Sequence, residues 1–140
     1  MAIQKKEFSE QQQNIFLEAL GYILNIDKKP NPTKIDYLKL QAFEMGYDMR
    51  KLKTKSSLKA ADVISRLNSI KDIRIRRYIL REMIMLAIAD HELSDTEVDT
   101  IYNIGTKVGI SVDKIDDFFL WAAKGIEWQI ESVKLVEEDL

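Results

Sequence analysis

Displaced by 63 residues, the chain lies over itself. "LNIDKKPNPTKIDYLKLQAFEMGYDMRKL" (24–52) aligns with "AIADHELSDTEVDTIYNIGTKVGISVDKI" (87–115), so that Asp27 meets Asp90, Thr33 meets Thr96, Asp36 meets Asp99, Gly46 meets Gly109 and Lys51 meets Lys114. The punctuation matches as well: Asn31 with Ser94, Asp48 with Ser111. Each copy reads as an apolar helix ending in Asp, a capped restart, a helix stopped by Gly, and another capped start. Self-similarity of this kind predicts two pseudo-repeated helical hairpins, over about 15–52 and 78–115.

Helix signals fill the rest of the chain. "SEQQ" (Ser9 to Gln12) and "SDTE" (Ser94 to Glu97) are capping boxes, in which the first side chain takes an orphan amide and the last reaches back. Asn31 followed by Pro32 places an N-cap before a proline at the first helical position, where its missing amide costs nothing. The first helix shows a polar or small stripe (Asn14, Glu18, Gly21, Asn25) on an otherwise apolar surface, which predicts burial on most sides. Ile35, Leu38, Phe43 and Met45 are the expected apolar positions of the second. A short helix is expected from about Leu58 to Asn68. "SIKD" (Ser69 to Asp72) then opens what reads as the longest helix, whose run "YILREMIMLAIA" is polar only at Arg81 and Glu82. Ser111 caps a helix carrying Phe118, Phe119 and Trp121, and the tail after Gly125 reads as a further helix. The expectation is therefore an all-α, single-domain compact bundle of about seven helices over residues 1–140. Two prolines and five glycines are too few for the turns of an all-β domain.

Cysteine is absent, which removes disulfides, thiolate metal sites and Cys nucleophiles together and fits a cytoplasmic chain. The N-terminus lacks an apolar signal region, and no apolar run approaches transmembrane length. The net charge of −2 conceals an asymmetry. Residues 49–81 carry eleven Lys/Arg against Asp62 and Asp72, while residues 82–140 carry fourteen Asp/Glu against four lysines. Either the halves face one another, within the chain or across a homodimer, or the basic stretch meets nucleic acid or an acidic protein. The residues for that second role are Arg50, Lys51, Lys53 and Lys55 of the connection at about 50–57, with Arg74, Arg76 and Arg77. Aromatic residues for single-strand stacking are scarce there: Tyr78 is the only ring between Met49 and Arg81. Trp128 and the apolar tail positions suit a protein partner or a second copy.

"ADHELSDTEVD" (89–99) concentrates Asp90, Glu92, Asp95, Glu97 and Asp99 beside the only histidine. The spacing is not that of an EF-hand. One histidine makes no zinc set, and nothing is placed as a catalytic triad. No phosphate-cradling glycine loop occurs, so no enzymatic reaction is expected. Helix capping accounts for Ser94, Asp95 and Glu97, with Glu92 and Asp99 solvated. Asp90 is the exception, since a negative charge is unfavourable at a helix C-terminus. It makes sense as a clasp that accepts amides from the next helix.

The segment "LAIADHELSDTEVDTIYNIGTKVGIS" resembles the TerB-like family of bacterial tellurite-resistance proteins. The family's repeat has an apolar helix, Ala-x-Ala-Asp-Gly, a capped turn with a Glu, and a helix ending before Gly-Ile/Leu-Ser. The likeness fits best over 69–111 and, with its degenerate copy at 15–52, covers most of the chain. It implies a compact, all-helical, cytoplasmic, non-enzymatic module of protein interaction or sensing, tied to stress response, membrane-associated complexes or phage defence. Some members are proposed to hold a divalent metal through acidic residues. Carried onto this chain, that implies Ca²⁺ or Mg²⁺ at Asp27, Asp90 and Glu97. Two positions depart from the pattern: the Gly is His91 here and Lys28 in the first copy, and the first copy has Lys34 in place of the Glu. His tolerates the left-handed conformation that a glycine would adopt.

Overall fold

Ser9 begins the first helix as read: its hydroxyl accepts the Gln12 amide while the Gln12 side chain accepts the Ser9 amide. The computed structural model describes residues 2–26, 31–51 and 58–138. Among these, regular structure is helical throughout: α1 (Glu10–Leu24), α2 (Pro32–Glu44), α3 (Ala60–Asn68), α4 (Ile73–Ala87), α5 (Asp95–Lys107) and α6 (Val112–Glu137), with short 3-10 turns at Lys5–Glu7 and Met49–Lys51. No helix among the described residues is long and apolar enough to cross a membrane.

Two helices form the centre. α1 buries Phe16, Leu17, Ala19, Leu20 and Ile23, and α4 buries Ile79, Leu80, Met83, Ile84 and Leu86. They pack most extensively against each other. Each large aliphatic side chain so buried contributes about 1.5–3 kcal/mol. Phe8 packs edge-on against both Phe16 and Tyr78 at one end of this contact, with ring centroids in the cluster 5.3–6.1 Å apart. α2 and α3 flank α1, while α5 and α6 lean on α4.

Glycine stops the outer helices. Gly46 (φ +68°) and Gly109 (φ +85°) adopt the left-handed conformation that ends α2 and α5. The amide of Tyr47 then reaches the Ala42 carbonyl, and that of Ile110 reaches Gly105. His91 is the one other described residue with positive φ, at 63°. α1 and α4 begin and end 63 residues apart, at Glu10 and Ile73 and at Leu24 and Ala87. α2 and α5 do the same, at Pro32 and Asp95 and at Glu44 and Lys107.

Four expectations change. There are six α-helices among the described residues, not seven, because α6 runs through Gly125 without a break. A lone glycine costs about 1 kcal/mol inside a helix, which the packing of Ile115, Phe118, Phe119, Ala122 and Ile126 on the core outweighs. α6, at 26 residues, is therefore the longest helix, ahead of α4 at 15. Phe43 is 82% exposed rather than core, because α2 turns Leu38, Gln41 and Ala42 inward. The helix expected from Leu58 starts at Ala60, and Ser69 ends α3 while Asp72 caps α4.

Candidate functional site

The acidic turn and the start of α2 meet in one buried network. Asn31 caps α2 by accepting the amides of Thr33 and Lys34 on Oδ1. Its Nδ2 is left free to donate to Asp90 Oδ2 at 3.0 Å. Asp90 Oδ1 accepts the Glu92 amide at 3.0 Å, closing the turn in which His91 is left-handed. Asp90 was expected to accept amides of the next helix; instead its carboxylate holds the cap of α2 and the amide of Glu92 in its own turn.

Glu97 takes part in both the cap and the network. Its Oε1 accepts the Ser94 amide (3.2 Å) and hydroxyl (3.0 Å), while its own amide donates to Ser94 Oγ. Lys34 Nζ donates to Glu97 Oε2 at 3.0 Å and lies 3.9 Å from Asp90 Oδ1. Both partners of the first pair are almost wholly buried, with side chains 5% and 2% exposed. Of the three residues implied for a metal, Asp90 and Glu97 converge and Asp27 lies outside the described residues. The cation between the two carboxylates is the Lys34 ammonium. Among the described residues, no three His, Cys, Asp or Glu side chains are grouped so as to hold a metal ion. Glu92, Asp95 and Asp99 are exposed, as is His91.

The basic residues are dispersed. Arg50 and Arg74 each fold back on the aspartate two residues earlier, pairing with Asp48 and Asp72 at 3.0 and 2.9 Å. These guanidinium contacts, with the backbone amide of the same arginine, hold both carboxyls below the usual aspartate range. Arg76 Nη1 donates to the Val108 carbonyl at 2.6 Å and so covers the C-terminus of α5. Arg77 is partly buried, its Nε without a hydrogen-bond partner. Lys51 reaches Glu10 at 3.5 Å; Lys53 and Lys55 lie outside the described residues. Arg66 pairs with Glu18. Among the described residues of 49–81, the ion-pair partners are thus α1, neighbouring aspartates and, for Arg81, the adjacent Glu82, rather than the acidic half as a block.

One feature escaped the sequence. α2 and α6 stand apart above α4, leaving a cavity of about 380 Å³ between Tyr37 and Leu40 on one side and Trp121, Gly125 and Ile126 on the other. Its lining is mostly apolar, with Met85 of α4 and Ile88 just after it beneath. At one end Glu82 accepts from the Tyr37 hydroxyl at 3.0 Å and from Arg81 Nε at 3.2 Å. The Arg81 guanidinium lies 4.6 Å from the Tyr78 ring centroid and 5.7 Å from that of Trp121. Burial, reinforced by the Glu82 carboxylate, pushes the Tyr37 hydroxyl far up. The signal was present in Arg81 and Glu82, the only polar residues in the central apolar run. Chemically the groove offers a mostly apolar surface, which suits the docking of an apolar group. Comparison with family models, curated proteins and solved structures finds no match to this chain.

Proposed function

We propose that the chain is a non-catalytic TerB-like interaction module serving a bacterial stress-response (tellurite-resistance-like) or defence system, built as a duplicated pair of helical hairpins. The observation that carries this reading is the turn from Asp90 to Glu97. His91 is left-handed at the position of the family's glycine, and Ser94 and Glu97 form the capped turn that follows. The common 63-residue step between α1 and α4 and between α2 and α5 supports the duplication, as does the direct pairing of Lys34 with Glu97 at that separation. The likeness is to a family and is an analogy of fold.

Lys34 supplies the positive charge that a divalent cation would bring to Asp90 and Glu97. A thermal-shift series with EDTA, Ca²⁺, Mg²⁺ and Mn²⁺ is therefore expected to leave the melting temperature unmoved. A millimolar shift abolished by Asp90→Asn would return the metal to the reading.

Affinity capture from the native host tests the module itself, with the wild type and a charge-reversed Arg50→Glu/Lys51→Glu/Arg74→Glu chain as parallel baits. The expected result is a protein partner held by both baits after nuclease treatment and at high salt. Capture of nucleic acid or an acidic protein that weakens steeply with salt and disappears on charge reversal would favour an adaptor acting through residues 50–81 instead. Recovery of no partner by either bait would also overturn the proposal.

A further inference from the structure

The last part of α6 is exposed. From Glu127 to Glu137 every residue is exposed, among them Trp128, Ile130, Val133, Leu135 and Val136. Helical periodicity places Trp128, Ser132, Val133, Leu135 and Val136 on one side, with Glu131 at its edge and Glu127, Ile130 and Lys134 opposite. That apolar side continues the line of Trp121, Ala122, Gly125 and Gln129 that borders the groove. A contiguous apolar surface of this kind on a helix marks a contact. The polar side, with Glu127, Glu131, Glu137 and Glu138 against Lys124 and Lys134, disfavours an anionic membrane or nucleic acid.

The groove lacks an apolar helix, and the tail is an apolar helix without a groove. Both lie on one face of α6. We propose that a second copy of this chain packs antiparallel along that face, so that each α6 tail enters the groove between α2 and α6 of the other. A two-fold axis satisfies both surfaces at once, because each copy presents the same self-complementary patch. Charge sets the register. Lys124 and Glu131 are two turns apart on one edge of the apolar face, on either side of Glu127 and Trp128. An axis between Glu127 and Trp128 brings each Lys124 against the partner's Glu131. The same register sets the partner's Val133 level with Ala122 of the groove lining, both on the apolar side. The inference stands apart from the family reading, since it uses only α2, α4 and α6.

Sedimentation equilibrium of the full chain, from low micromolar to near-millimolar concentration, tests it. The wild type is expected to associate to a dimer. Lys124→Glu and Glu131→Lys each set two like charges together and weaken it about tenfold, while the double exchange restores it. Trp128→Asp is expected to abolish it, with circular dichroism checking that the helix remains. A wild type that stays monomeric throughout would overturn the proposal. So would a dimer that both single charge variants leave at full strength, or single defects that the double exchange fails to repair.

Discussion

The Lys34 ammonium and the Glu97 carboxylate have given up nearly all their water, and the contact between them offsets that loss only while both are charged. Lys34→Met keeps the bulk and strands a buried carboxylate, which costs about 3–5 kcal/mol. Urea denaturation is expected to show that loss, and Lys34→Met/Glu97→Gln is expected to recover most of it. A double variant as unstable as the single one would mean that the pair's charge is not what matters. His91 holds a conformation that glycine reaches without strain. His91→Gly is accordingly expected to stabilise the fold by about 0.5–1 kcal/mol, read as a raised melting temperature. The residues of this turn were legible as helix caps, since capping is local. The pairing of Lys34 was not, because Glu97 is 63 residues away and only the packing of α2 and α5 against α4 brings their first turns together.

At the scale of the elements, two glycines make opposite demands. A Cβ on Gly105 would stand 2.7 Å from Ile115 Cδ1 and 3.1 Å from Leu80 Cδ2, where α4, α5 and α6 meet. Gly105→Ala is thus expected to destabilise by about 1–3 kcal/mol. Gly125 has open space around it, so Gly125→Ala is expected to stabilise the folded monomer by about 1 kcal/mol through helix propensity. Denaturant midpoints at concentrations too low for association check both, and a reversed order would contradict the packing described. Helix starts were readable to within a residue or two, because Ser9, Asn31, Ser94 and Ser111 cap them with their own side chains. The break expected at Gly125 does not occur, because a glycine stops a helix only when it turns left-handed. Gly109 does so and Gly125 does not.

The whole molecule responds to alkali through its tyrosines. Burial and the carboxylate of Glu82 raise Tyr37, while burial and the hydrogen bond to Asp116 push Tyr102 up to about 12. Unfolded tyrosine ionises near pH 10, so the unfolded chain releases these protons first. The stability that follows from keeping both neutral is complete below about pH 10 and is lost as pH rises toward 12 and beyond. Spectrophotometric titration is expected to show at least two of the five tyrosines ionising late, in step with unfolding. A single transition near pH 10 with the fold intact would refute it. By itself the sequence determined the all-helical class, the capped starts, the glycine stops and the apolar faces, because each depends on residues within a turn or two of one another. Only the tertiary structure decided that Lys34 stands between Asp90 and Glu97, that Phe43 points outward, and that α2 and α6 leave a groove. These depend on which faces meet across the bundle, and local periodicity carries no record of that.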